Sequence, residues 1–371
     1  MKIALVHDQL QEFGGAERVL VALKKIYPQA DVYTSFYNPR GLGEHNKHFE
    51  GWHIHESWAS RIPFFGKLYS PLRFLAPWIW ESFDFSAYDV VMSSSGWYMS
   101  KGIITKPDTQ HICYLHHQPR YLYHYPTAVE WQKYLPVNIY AHIINHGLRM
   151  WDFESSQRVD FFIANSEETK SRIKKFYRRD AHVIYPPVAI PATISESAEN
   201  KNYFVTTARL ARAKHIDLLI KAANKKKFSL KIIGRGRDEE YLRSIAGPTV
   251  EFLSYVEDKA FANIYQQAKA FLFAAEEEEF GIAPVEAMGY GLPVVAYASG
   301  GLKETVKHKK NGYLFNALTV DALLEQIAAL DNLSKQKYHE MQQAARKEAE
   351  CYSFAVFEKH IKQFVENITQ E

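Results

Sequence analysis

Two carboxylates, Glu278 and Glu286, stand eight residues apart in the segment Glu276-Glu-Glu-Glu-Phe-Gly-Ile-Ala-Pro-Val-Glu286-Ala-Met-Gly-Tyr-Gly-Leu-Pro-Val-Val-Ala296. Ionised carboxylates accept several O–H hydrogen bonds each, so such a pair suits the hydroxyls of a sugar and a ribose. The apolar run Ala270-Phe-Leu-Phe-Ala-Ala275 predicts a buried parallel strand, and Pro284 suits the first turn of a following helix. Glu278 then lies at a strand mouth and Glu286 on a helix. Ligands of open α/β sheets collect there, and the N–H groups of a helix start can receive anions or hydroxyls. Taken alone, an acidic run reads as a solvated turn. Phe280-Gly281 between the acids and the stop Gly289-Tyr-Gly291-Leu-Pro293 set this one apart.

A matching cationic pair occurs in Thr207-Ala-Arg-Leu-Ala-Arg-Ala-Lys-His-Ile-Asp217, where Arg209 and Lys214 follow a predicted strand and precede a predicted helix, Leu218 to Asn224. A departing nucleoside diphosphate gains negative charge as its bond to sugar breaks, and fixed cations stabilise that charge. No Asp-x-Asp pair occurs in the chain, so charge compensation is expected from protein groups and no metal or other cofactor is expected. The segment Tyr114-Leu-His116-His-Gln-Pro-Arg120-Tyr121 adds His116 at the end of another predicted strand. His111, His117 and His124 lie nearby without the spacing of a zinc site.

The elements that must position these groups form two alternating series. The first has strands at Ile3–Val6, 90–92, 111–115, 161–164 and 183–185, with Gly14-Gly15 and a helix carrying Ala16, Val19, Leu20, Leu23 and Ile26 after the first strand. Tyr185-Pro-Pro-Val188 stops regular structure, and 189–202 reads as an interdomain linker. The second has strands at 203–207, 230–233, 270–273, 293–296 and 312–315. The expectation is an α/β chain of two Rossmann-like domains across a cleft: 1–190 on the acceptor side, 200–352 for the nucleotide, and a closing helix within 353–371.

At 371 residues the chain has the length of roughly two domains. A net charge of +3 gives no support to nucleic-acid binding. Cys113 and Cys351, far apart, fit free thiols in a reducing compartment. The start lacks the pattern of a signal peptide, and no apolar run reaches the roughly 18 residues that span a bilayer. A cytoplasmic protein is expected, peripheral on the inner face of the cytoplasmic membrane if lipid engages residues 58–80. There Trp58, Phe64, Phe65, Tyr69, Phe74, Trp78 and Trp80 interleave with Arg61, Lys67 and Arg73, a mixture that suits a bilayer interface or a layer covering the first sheet.

These motifs, in this order, resemble glycosyltransferase family 4, the retaining enzymes of the GT-B fold, over almost the whole chain. The paired acids resemble the family's glutamate signature, with its first acid on Glu278; the surplus glutamate leaves Glu277 and Glu279 as alternatives. The resemblance implies Glu278, His116, Arg209 and Lys214 as catalytic groups. It implies donor contacts from Glu286, from the N–H groups of Phe280, Gly281 and Ile282, and from Gly15, Gly234, Tyr255 and Val256. On the acceptor side it implies Gly14, Arg120 and Tyr121, and it implies that the last helix crosses back onto the N-terminal domain. Asn165-Ser166 resembles the family's Ala-Asn-Ser turn, whose simplest role is helix capping. The segments around His116 and 178–188 are similar to those of bacterial mannosyltransferases of polysaccharide assembly. GDP-mannose is the donor this implies, with a glycan or polyprenyl-linked saccharide as acceptor. A UDP-sugar donor (glucose, galactose or N-acetylglucosamine) and a catalytically inert sugar-nucleotide-binding protein are the alternatives. A nicotinamide-dependent oxidoreductase is disfavoured, because no Gly-x-Gly-x-x-Gly follows the first strand.

Overall fold

A computed structural model describes residues 1–125, 134–192, 203–253, 256 and 258–370. The chain divides into two compact units, one made of residues 1–187 with 357–371 and the other of residues 188–356.

The first unit holds strands β1 (Ile3–His7), β2 (Asp31–Thr34), β3 (Ile54–Glu56), β4 (Val90–Ser95), β5 (Gln110–Leu115), β6 (Phe161–Ala164) and β7 (His182–Val183). They form one parallel sheet in the order β3-β2-β1-β4-β5-β6-β7. The central β1 and β4 are buried along their whole length, which is why they read as continuous apolar or small runs. Strands β2 and β3 at the edge were not expected: Asp31-Val-Tyr-Thr34 and Ile54-His-Glu56 have mixed polarity, and only pairing in the sheet makes them strands. Strand β7 is two residues long and stops short of the expected 185, ahead of Pro186-Pro187, whose missing N–H groups cannot extend a ladder.

The aromatic segment before β4 covers this sheet in part. Phe65 and Trp80 are buried in the core, and the Trp80 indole N–H donates to the Tyr98 carbonyl at 2.6 Å. Arg73 is also buried, its guanidinium donating to Asn145 Oδ1 at 3.0 and 3.1 Å. Trp58, Phe64 and Trp78 stay exposed.

The second unit repeats the scheme with β8 (Tyr203–Thr207), β9 (Ser229–Ile233), β10 (Val250–Leu253), β11 (Ala270–Phe273), β12 (Val294–Tyr297) and β13 (Gly312–Phe315), parallel in the order β10-β9-β8-β11-β12-β13. The strand order reverses between β1 and β4 in the first sheet and between β8 and β11 in the second. Doubly wound sheets open a crevice at the carboxyl ends of the strands at such a reversal. The last helix, Phe354–Gln370, lays its aromatic side chains on the first unit: Phe357 meets Tyr114 at 6.1 Å between ring centres, and Phe364 meets Phe161 at 6.1 Å and His182 at 5.0 Å.

Candidate active site

In the second unit, the loops after β8 and β11 meet at the strand reversal. Glu276 N–H donates to the Ala213 carbonyl at 3.0 Å, tying the acidic loop to the basic one. Across that tie the Lys214 ammonium pairs with Glu278 Oε2, and His215 Nε2 faces Glu276 Oε2 at 3.4 Å. Of the glutamates in the run, Glu278 is therefore the one whose carboxylate meets Lys214. Both members of the pair are about four-fifths covered, and they remain reachable from solvent. Arg209, exposed, lies on the same loop.

The neighbouring loops clamp these two by backbone contact. A Cβ on Gly300, whose φ is +54°, would sit 2.0 Å from the Glu278 carbonyl, and one on Gly301 2.1 Å from that of Glu279. Gly301 N–H donates to the Glu278 carbonyl at 2.9 Å, and Ser299 Oγ accepts from Glu277 N–H at 3.0 Å. A Cβ on Gly234 would likewise lie 2.1 Å from the Ala208 carbonyl, so this glycine is needed where its loop abuts the one bearing Arg209. Gly281, at φ +87°, caps the helix Ile282–Gly289, with Pro284 in its first turn and Glu286 buried on it. Phe280 turns its ring inward onto Tyr352 at 5.2 Å, which leaves only its main chain to meet a ligand. Val256 is half-buried just after β10; Tyr255 lies outside the described residues.

In the first unit, β1, β4 and β5 deliver a second polar cluster to their carboxyl ends. His7 and Ser94 are register partners, and His116 N–H donates to the Ser95 carbonyl at 2.8 Å. Ser94 Oγ lies 3.0 Å from His7 Nδ1 and 2.7 Å from His116 Nε2, while His7 Nε2 faces Glu17 Oε1 at 3.4 Å. Burial, reinforced by His7 and His117, holds the His116 imidazole well below its usual pKa, so it stays neutral. His116 follows the end of β5, as its place in the sequence predicts, and one of its ring nitrogens is committed inward to Ser94. Asp8, next to His7, accepts the backbone N–H groups of Gly96, Tyr98 and Ser100 at 2.8 to 3.0 Å and so shapes the loop after β4.

Gly14 caps the helix Gly15–Ile26 and Gly15 opens it; Gly14 N–H donates to Glu17 Oε2 at 2.7 Å. Arg120 is half-buried, whereas Tyr121 packs into the core beside Arg73 and Trp97, and burial raises its phenol pKa far up. Ser166 caps the helix Glu167–Tyr177 by accepting Thr169 N–H at 3.1 Å. His111 is buried on Ser93 Oγ, and among the described residues the group able to hold a metal is Asp31, at the amino-terminal end of β2, with His53 just before β3 and His55 on it. His7, Asp8, Glu17 and Ser94 escaped the sequence reading. Their signal was position: His7 and Ser94 lie at the carboxyl ends of strands, Asp8 follows one, and Glu17 stands three residues after the helix cap.

Residues 13–190 match the family model described as Glycosyltransferase Family 4, and residues 192–348 match that described as Glycosyl transferases group 1. The chain belongs to glycosyltransferase family 4. Among curated relatives, the family 4 chain is 31% identical over 180 residues to the GtfA subunit of the UDP-N-acetylglucosamine-peptide N-acetylglucosaminyltransferase of Streptococcus pneumoniae, covering 44% of this chain and 35% of that protein. The chain spans about a third to a half of the length of the first curated relatives it matches. A longer alignment relates it at 23% identity to the alpha-1,3/1,6-mannosyltransferase ALG2 of Rhizomucor pusillus, over 85% of this chain and 80% of the relative. The crystal structure of Anabaena HepE in complex with UDP and glucose superposes with a TM-score of 0.71 at 20% identity, over 99% of each chain. That likeness gives this glycosyltransferase family member the GT-B fold of two Rossmann-like units.

Proposed function

We propose that this protein transfers a hexose, mannose from GDP-mannose, to a glycan or polyprenyl-linked saccharide with retention at the anomeric carbon. The observation that carries the reading is the Lys214–Glu278 pair at the strand reversal between β8 and β11. It sets a cation for diphosphate beside a carboxylate for sugar hydroxyls, in the crevice where doubly wound sheets bind nucleotides.

In this reading Glu278 accepts hydroxyls of the transferred sugar, and Glu286 accepts those of the ribose. The N–H groups of Phe280, Gly281 and Ile282 add donors, while Gly234 and Val256 approach the nucleotide. Arg209 and Lys214 stabilise the diphosphate as the bond from its oxygen to the anomeric carbon breaks. The acceptor oxygen bonds to that carbon from the same face, and its proton passes to the leaving phosphate. Within the first unit, Gly14, His116 and Arg120 belong to the acceptor side and Gly15 to the donor, while Tyr121, enclosed in the core, only follows Arg120 in sequence. With Arg209 and Lys214 supplying positive charge, the reaction needs no divalent metal.

The mannose assignment is supported by the alignment with the mannosyltransferase ALG2, which runs through most of both chains. A UDP-sugar donor is the second reading, favoured by the GtfA relatives and by the UDP-bound HepE structure. A thermal-shift screen of GDP- and UDP-sugars with and without chelator separates them, because a ligand at a hundred times its Kd stabilises the fold by about 2.7 kcal/mol. The largest shift is expected with GDP-mannose and unchanged by chelator. A larger shift with a UDP-sugar moves the assignment to that donor, and a shift that requires magnesium overturns the metal-free reading.

A further inference from the structure

Glu17, His7 and Ser94, all buried, link the first helix to His116 through a chain that donor chemistry alone does not require. His7, Glu17, Ser94 and His116 are 2%, 7%, 1% and 7% exposed. Ser94 Oγ stands between the two imidazoles, and a single hydroxyl hydrogen can serve only one of them. The direction of the chain is therefore set at its far end, by Glu17.

Gly14 N–H occupies Glu17 Oε2 at 2.7 Å, which leaves Oε1 to face His7 Nε2. A carboxylate only accepts, so a neutral His7 carries its proton on Nε2 and presents a lone pair at Nδ1. Ser94 donates to that lone pair. Its oxygen then accepts from His116, whose proton must sit on Nε2. The Nδ1 of His116 has no hydrogen-bond partner among the described residues.

We infer that Glu17, His7 and Ser94 are positioning residues that fix His116 as its Nε2–H tautomer, leaving Nδ1 as the acceptor for a hydroxyl of the saccharide substrate. The inference rests on the transferase reading for its substrate, but the tautomer itself does not. Without the relay, the two neutral tautomers of His116 differ little in energy, and a share of the molecules offers the hydroxyl an N–H instead of a lone pair. The carboxylate at the start of the helix removes that share.

The test exploits the helix cap. In Glu17→Gln the amide oxygen stays on Gly14 N–H, so the amide NH₂ faces His7 Nε2. A neutral His7 must then protonate Nδ1 and donate to Ser94, Ser94 donates to His116 Nε2, and His116 ends with its proton on Nδ1. Nitrogen-15 imidazole spectra of the full chain near pH 8, without substrate, read each tautomer directly; Ser94→Ala, which cuts the relay, assigns the signals. Expected are an Nε2–H tautomer for His116 in the wild type, the Nδ1–H tautomer in Glu17→Gln, and a loss of about tenfold or more in kcat/KM for sugar transfer, the worth of one substrate hydrogen bond. A wild-type His116 protonated on Nδ1, a tautomer unmoved by Glu17→Gln, or a reversed tautomer with undiminished transfer overturns the inference. If no sugar is transferred by any form while the tautomer still reverses, the transferase reading fails and the relay stands.

Discussion

His111 and His116 sit five residues apart on and after the same strand, and burial gives them the same thermodynamic consequence. The His111 imidazole, enclosed and further opposed by Lys101, has its pKa pushed down to about 3, against an ordinary value of about 6.5 in the unfolded chain. The unfolded state therefore binds the proton first. Stability from this group is complete above about pH 6.5 and is lost as pH falls toward 3, by about 1.4 kcal/mol for each unit inside that window. Denaturant unfolding of the wild type and His111→Gln across pH 7 to 4 should show a smaller slope in the variant; identical slopes would mean His111 does not titrate this way. Lys214 and Glu278 could be singled out from sequence because each follows an apolar run that predicts a strand, and because their segments resemble family motifs; a lone charge at either place would read as a solvated turn. His7, Ser94 and Glu17 were not, since nothing in their local sequence says that β1 and β4 are neighbours with His7 opposite Ser94.

At the scale of elements, a buried ion pair joins the turn after β4 to the long helix Leu135–Gln157. Lys101 Nζ donates to Asp152 Oδ1 at 2.7 Å, to its carbonyl at 2.9 Å and to Ser155 Oγ at 2.9 Å, and Asp152 Oδ2 accepts from the Tyr123 hydroxyl at 2.7 Å. Removing one ion leaves the other buried without compensation, at a cost of about 3–5 kcal/mol. Lys101→Met should accordingly lower the chemical-denaturation midpoint sharply, and Lys101→Met combined with Asp152→Leu should recover much of the loss. A single variant as stable as wild type would show that the pair contributes nothing. The strands that sequence missed have a common physical origin. Strands β2, β3 and β10 lie at or next to a sheet edge and are short and of mixed polarity, β3 and β10 only partly buried, whereas the central strands carry the apolar runs that periodicity detects. The glycines at 234, 300 and 301 were visible as residues, but their function of letting one loop rest on the next depends on contacts across the sheet.

At the scale of the molecule, large apolar side chains stay in solvent on the first unit. Phe64 and Trp78 are 74% and 61% exposed, and on the helix Leu135–Gln157 so are Leu135, Ile139 and Ile143, while Tyr140 donates from that helix to the Pro71 carbonyl. No helix among the described residues is long and apolar enough to cross a membrane. Exposed aromatic and aliphatic groups with Arg61 and Lys67 between them suit the headgroup boundary of an anionic bilayer. In flotation with anionic liposomes the wild type should rise with the lipid, and Phe64→Ser with Trp78→Ser should rise several-fold less; a wild type left in the soluble fraction removes the membrane from the account. The central claim, transfer of a hexose by the Lys214–Glu278 site, is met most directly by incubating the protein with GDP-mannose and a polyprenyl-linked saccharide and weighing the product. The predicted result is an acceptor heavier by one hexose, formed with chelator present and reduced by orders of magnitude in folded Lys214→Ala and Glu278→Ala. Undiminished product from both variants would contradict the site, and no added hexose from any GDP- or UDP-sugar with this acceptor would contradict the proposed reaction.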